Sequence, residues 1–92
     1  MKSIYKYQLP IGGRVPIKMP KGAKILSLHT QRDAPCIWVE VDTEEPAIKI
    51  HHFRVYGTGH GLPDNPGTHI GTFLVEKDNF VFHVYEQENL ND

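Results

Sequence analysis

The sequence holds a single cysteine, Cys36, so it can close no disulfide within the chain and cannot assemble a metal site from thiolates. No apolar run comes near the roughly 18 residues that a membrane span needs. "MKSIYKYQLP" opens with a charge and lacks the uninterrupted apolar stretch of a secretion signal. A cytoplasmic protein with no membrane partner is the expectation. Neither sign of charge prevails, since ten Lys and Arg stand against eleven Asp and Glu, a net −1. That balance supplies no electrostatic footprint for a nucleic-acid backbone, so nucleic acid is not an expected partner, although a local basic patch is compatible with it. The six histidines add positive charge below about pH 6.5. Helical periodicity is missing as well. No segment repeats apolar residues at helical spacing over three turns, and eight glycines and seven prolines leave few stretches able to hold a helix.

What the sequence has instead is period two. "SIYKYQL" sets Tyr5, Tyr7 and Leu9 on one face and "RVPIKM" sets Val15, Ile17 and Met19 on one face, two strands joined at Gly12-Gly13 as a first hairpin. Pro16 lacks the amide that a central strand needs, which places the second strand at an edge or starts it after the proline. "AKILSLHTQ" and "CIWVEVD" flank the turn "RDAP" as a hairpin in which Ile37, Val39 and Val41 alternate with Cys36, Trp38 and Glu40. Trp38 faces away from the aliphatic row, either packed by a second layer or presented as a contact. In "AIKIHHFRVY" both faces carry apolar groups, as in a strand that is central or covered by another subunit. "THIGTFLVEKDNFVFHVYE" reads as a hairpin turning at Lys77, Asp78 and Asn79. The predicted fold is all-β, a single small antiparallel sandwich or barrel of about seven short strands, spanning 1–86 with 87–92 as a disordered tail. A 92-residue chain that is 39% apolar builds a modest core, and a homo-oligomer is expected for that reason.

The segment that strand periodicity does not absorb is "YGTGHGLPDNPGTH", residues 56–69. Gly57, Gly59 and Gly61 would let backbone amides converge on an anion, but a dinucleotide fingerprint needs a helix after the turn, and "LPDNPG" cannot supply one. His60, Asp64 and His69 reproduce no ligand spacing of a zinc site, and His51 and His52 point to opposite faces of a strand. Paired His-x-Thr or His-x-Ser phosphoesterase chemistry is excluded, because the residues two after the histidines are Gln31, Phe53, Arg54, Leu62, Gly71 and Tyr85. Cys36 lies in a strand beside Pro35 with nothing nearby to lower its pKa. No catalytic, metal or cofactor role follows. Turning a corner is the plainest use of such a loop; recognition is the other, since long ordered loops carry function disproportionately often. His52, Arg54 and Tyr56 enter it from one strand face and form a plausible surface for a phosphate, a base or an acidic side chain.

The motifs "KYQLPI", "IKMPKGAKILSL", "PCIWVEVD", "FRVYGTGH" and "IGTFLVEKDNFVFHVYE" together resemble a family of small phage and prophage proteins of uncharacterised function. The resemblance runs from about Ile4 to Tyr85, and "YGTGH", "IGTF" and "FHV" are its most specific parts. The "GGR" turn after "LPI" is shorter than the polar stretch commoner in that family. The resemblance implies a viral accessory product in a bacterial host cytoplasm and passes no residue role to this chain. The leading expectation is a non-enzymatic binding protein that blocks or modulates a host component through Arg54, Tyr56, Gly57, Gly59, His60, Gly61, His69 and Trp38. The alternatives are sequestration of a small phosphorylated ligand, such as a nucleotide signal, at a subunit interface, or a structural, virion-associated role.

Overall fold

A computed structural model describes residues 1–75, 77 and 79–87. They form seven antiparallel strands in two sheets, packed face to face as a sandwich that does not close into a barrel. The strands are β1 (Lys2–Gln8), β2 (Arg14–Pro20), β3 (Lys24–Gln31), β4 (Ala34–Asp42), β5 (Ile48–Gly57), β6 (Thr68–Val75) and β7 (Phe80–Gln87). One sheet has the order β1-β4-β3, the other β2-β5-β7-β6. Among the described residues no helix is long and apolar enough to cross a membrane. Gln87 ends β7, and the remainder of the predicted tail, 88–92, lies outside the described residues.

The core follows the period-two pattern. Leu9, Met19, Ile37, Val39, Val41, Phe53, Val55, Phe73, Val75 and Val84 pack between the sheets. Phe53, Ile37, Val39 and Val84 are wholly buried, each such side chain contributing about 1.5–3 kcal/mol through the apolar area it removes from water. β3 and β6 come together where Gly71 abuts Leu28; a Cβ on Gly71 would stand 3.0 Å from Leu28 Cδ2. On the other side of the sandwich, burial and then the neighbouring Tyr5 phenol push the Tyr7 hydroxyl above the usual tyrosine range.

The β3–β4 and β6–β7 hairpins form as the sequence predicts, and Pro16 lies on an edge strand. Asp78, in the second of these turns, lies outside the described residues, while Asn79 adopts φ 55°. The first hairpin is corrected. β1 pairs with β4 and β2 with β5, so the two strands belong to different sheets. The link between them is anchored by Leu9, which is buried and donates its amide to the Pro35 carbonyl at 2.8 Å. Gly12 and Gly13, at φ 101° and 66°, then carry the chain across to the second layer. β5 is central in its sheet, flanked by β2 and β7. His51 points into the sandwich, where its Nδ1 lies 2.6 Å from Glu86 Oε2, and His52 occupies the opposite face of the strand.

Candidate binding face on the four-stranded sheet

Strand register decides which side chains share the outward face of the β2-β5-β7-β6 sheet. Arg14 stands opposite Arg54, Arg54 opposite Tyr85, and Tyr85 opposite His69. These four residues form one row across all four strands, about 14 Å from end to end at the usual strand spacing of about 4.8 Å. The neighbouring row holds Tyr56, His83 and Thr72. A bulge between His69 and Gly71 places His69 and Thr72, three residues apart, on the same face.

The two rows interlock. The Arg54 guanidinium lies 5.5 Å over the Tyr56 ring, a cation–π contact. Tyr56 meets Tyr85 edge to face at 5.7 Å, and Tyr85 meets His69 the same way at 5.2 Å. Thr58 donates its hydroxyl to the Val81 carbonyl at 3.1 Å and lies 2.8 Å from His83 Nε2. Thr72 lies 3.0 Å from His83 Nδ1 and 3.3 Å from His69 Nε2. With the Thr58 proton on Val81, His83 donates from Nε2 and accepts from Thr72 at Nδ1, while His69 donates from Nε2 to the Thr72 oxygen. The chain of hydrogen bonds holds both imidazoles in place on the sheet.

Charge on this face departs from that of the chain as a whole. Its described outward strand positions include Arg14, Lys18 and Arg54 and the histidines His52, His69 and His83, with no Asp or Glu among them. Neither arginine forms an ion pair with a described residue. Like charges directly opposite on adjacent strands repel, so among the described residues this pair has no carboxylate to offset it. Beside it, an open cleft of about 670 Å³ is lined by Arg14, Asp64, Asn65, Pro66, Gly67, Thr68 and Gln87.

The residues singled out from the sequence are distributed unevenly. Arg54, Tyr56 and His69 belong to this face, with Tyr56 largely buried by its neighbours. Gly57, Gly59, His60 and Gly61 sit at the strand end, where the amides of Thr58 and His60 bond to the carbonyls of Val81 and Gly57, both at 3.1 Å. Those two amides are engaged within a folded turn. His60 packs over Gly57 beside a separate cleft of about 590 Å³ lined by Thr58, Phe80, Val81 and Phe82. Trp38 lies on the outer side of the other sheet, edge to face with His29 at 6.0 Å, and does not meet the rest. Cys36 is buried, and among the described residues no three His, Cys, Asp or Glu gather as they would around a metal ion. Arg14, Thr58, Thr72, His83 and Tyr85 were not singled out by sequence reasoning; alternation in β2 and β7 carried a signal for Arg14, His83 and Tyr85, and none marked Thr58, just past β5, or Thr72, beyond the β6 bulge.

The whole chain, residues 1–92, matches a family described as a domain of unknown function. The chain belongs to the DUF7352 family. No curated protein and no solved structure matches it. In this DUF7352 chain the stretches "YGTGH", "IGTF" and "FHV" converge at a single point, since Thr58 comes from the first, Thr72 from the second and His83 from the third.

Proposed function

We propose that this chain is a non-enzymatic binding protein that captures an anionic group of a host component on the outward face of the four-stranded sheet, and so blocks or modulates that component. One observation carries the reading: Arg14 and Arg54 stand side by side on a face whose described outward strand positions hold no carboxylate. Two arginines at directly opposed strand positions suit a phosphate or a cluster of acidic side chains. Catalysis is the weaker reading of the same residues. The Thr58 hydroxyl is directed to a backbone carbonyl, so His83 steadies the sheet surface and does not activate a nucleophile. The resemblance to phage and prophage proteins supplies the setting, a bacterial cytoplasm, and self-association belongs to the reading because so small a core leaves both broad faces open to cover.

Native mass spectrometry of the purified protein, followed by capture from a bacterial lysate, tests it. The wild-type chain retains a partner or ligand that Arg14→Glu/Arg54→Glu loses while its circular dichroism is unchanged. Trp38→Ala, altered on the other sheet, keeps that partner. Equal capture by the double variant and the wild type removes the face from the proposal.

A further inference from the structure

We infer that the anion taken by this face is the phosphate of a nucleotide-class small molecule, held between Arg14 and Arg54 with its ring against Tyr85 and His69; the inference rests on the anion-binding reading above. The row is the reason. Its basic half spans β2 and β5 and its aromatic half spans β7 and β6, so charge and π surface lie side by side on one line. Arg54 is one strand, about 5 Å, from Tyr85 and about 10 Å from His69, the range over which a nucleoside monophosphate separates its phosphate from its base. Tyr56 stands behind both halves. It lies under the Arg54 guanidinium and against the edge of Tyr85, which fixes the two recognition elements relative to each other before any ligand arrives.

The cleft beside the row argues for a ligand that is more than a bare anion. Together with Arg14 it is lined by Asp64, Asn65 and Gln87, all three able to accept hydrogen bonds from sugar hydroxyls or base amines, and Asp64 carries a negative charge that opposes a second phosphate. Gln87 Oε1 is buried without a hydrogen-bond partner among the described residues, an acceptor left over by the fold. The cleft volume, about 670 Å³, falls within the range of small-molecule sites. A nucleic-acid strand is disfavoured by the same facts. Strand binding needs cations and stacking rings repeated along a groove. Here the cations Arg14, Lys18 and Arg54 gather on β2 and β5, the rings of Tyr85 and His69 lie apart from them on β7 and β6, and the loop carboxylate of Asp64 borders the site.

The test is calorimetric titration of the intact protein with four probes: adenosine 5′-monophosphate, uridine 5′-monophosphate, adenosine and inorganic phosphate. At least one nucleotide binds ten-fold or more tightly than both adenosine and phosphate. Arg14→Ala and Arg54→Ala each weaken that nucleotide ten-fold or more, and His69→Ala, at an exposed position that folding tolerates, weakens the nucleotide while leaving phosphate affinity unchanged. Inorganic phosphate binding as tightly as both nucleotides overturns the nucleotide assignment and leaves an anion site. Silence from all four probes, combined with capture of an acidic protein that depends on the two arginines, also overturns it while the broader function stands. Loss of arginine dependence in both experiments overturns the two together.

Discussion

Gly67 shows how a single residue holds the loop to the site. It adopts φ 101°, and a Cβ there would run into the carbonyl oxygen of Glu86 and stand 2.9 Å from Gln87 Cα, backbone atoms of β7 that cannot swing away. Gly59 also has positive φ, 85°, but faces open space. Gly67→Ala therefore combines backbone strain with a backbone collision and destabilises by about 3 kcal/mol or more, whereas Gly59→Ala bears only the conformational term of about 1 kcal/mol. Urea denaturation of both variants measures the two; equal losses would show that the Gly67 contact is relieved by moving the loop. The sequence marks both glycines alike, because glycine content records that a turn occurs and says nothing of what the turn touches. Arg54 and Tyr56 were legible for the opposite reason. Alternation alone fixes that they share a face, whatever that face meets.

At the scale of strands and turns, the β3–β4 hairpin closes through Arg32 and Asp33, both in the left-handed region at φ 53° and 63°. Two consecutive positive φ values are the geometry of the tight turn that Asn-Gly adopts most readily, and a left-handed arginine costs about 1–2 kcal/mol. Arg32→Asn with Asp33→Gly should raise stability by about 1 kcal/mol, read as a higher urea midpoint with an unchanged slope. No gain would mean that contacts made by the Arg32 side chain offset the strain. The hairpin itself was readable from its flanking alternation. The pairing of β1 with β4 was not, since a Gly-Gly link between two alternating runs serves a hairpin and a crossing between layers equally well, and only the burial of Leu9 separates the cases. The bulge in β6 is harder still. It breaks the period-two rule at Ile70, and without it His69 and Thr72 would point to opposite faces and the His69–Thr72–His83 chain could not form.

On the scale of the whole molecule, net charge conceals a division of charge. The described residues make a slab 40 × 31 × 16 Å, with two broad faces and little between them but one core layer. On the three-stranded side, Glu40 and Asp42 lie opposite Ile4 and Lys2, and Lys2 pairs with Glu40 at 3.3 Å. On the four-stranded side the described outward strand positions carry cations alone. On the three-stranded side Lys6 and Lys24 stand beside the carboxylates as well, and most other described carboxylates, Asp33, Glu44, Glu45 and Asp64, lie in turns and links. A sum of −1 thus hides a cationic sheet face, which is why composition argued against a nucleic-acid backbone while the surface favours an anion. If Arg14 and Arg54 repel in the ligand-free protein, removing one charge relieves the strand pair. Arg14→Thr, a β-favouring change at an exposed edge position, should be more stable than the wild type by a few tenths of a kcal/mol at about 0.01 M salt. The difference should vanish near 1 M, where the screening length falls to about 3 Å. Taking the difference between the two chains cancels the salt dependence of pairs they share, such as Lys2–Glu40. Thermal unfolding of both proteins across that range decides the matter: a gain independent of salt assigns the effect to threonine's fit in the strand, and a loss at low salt means that Arg14 already has an anionic partner within the chain.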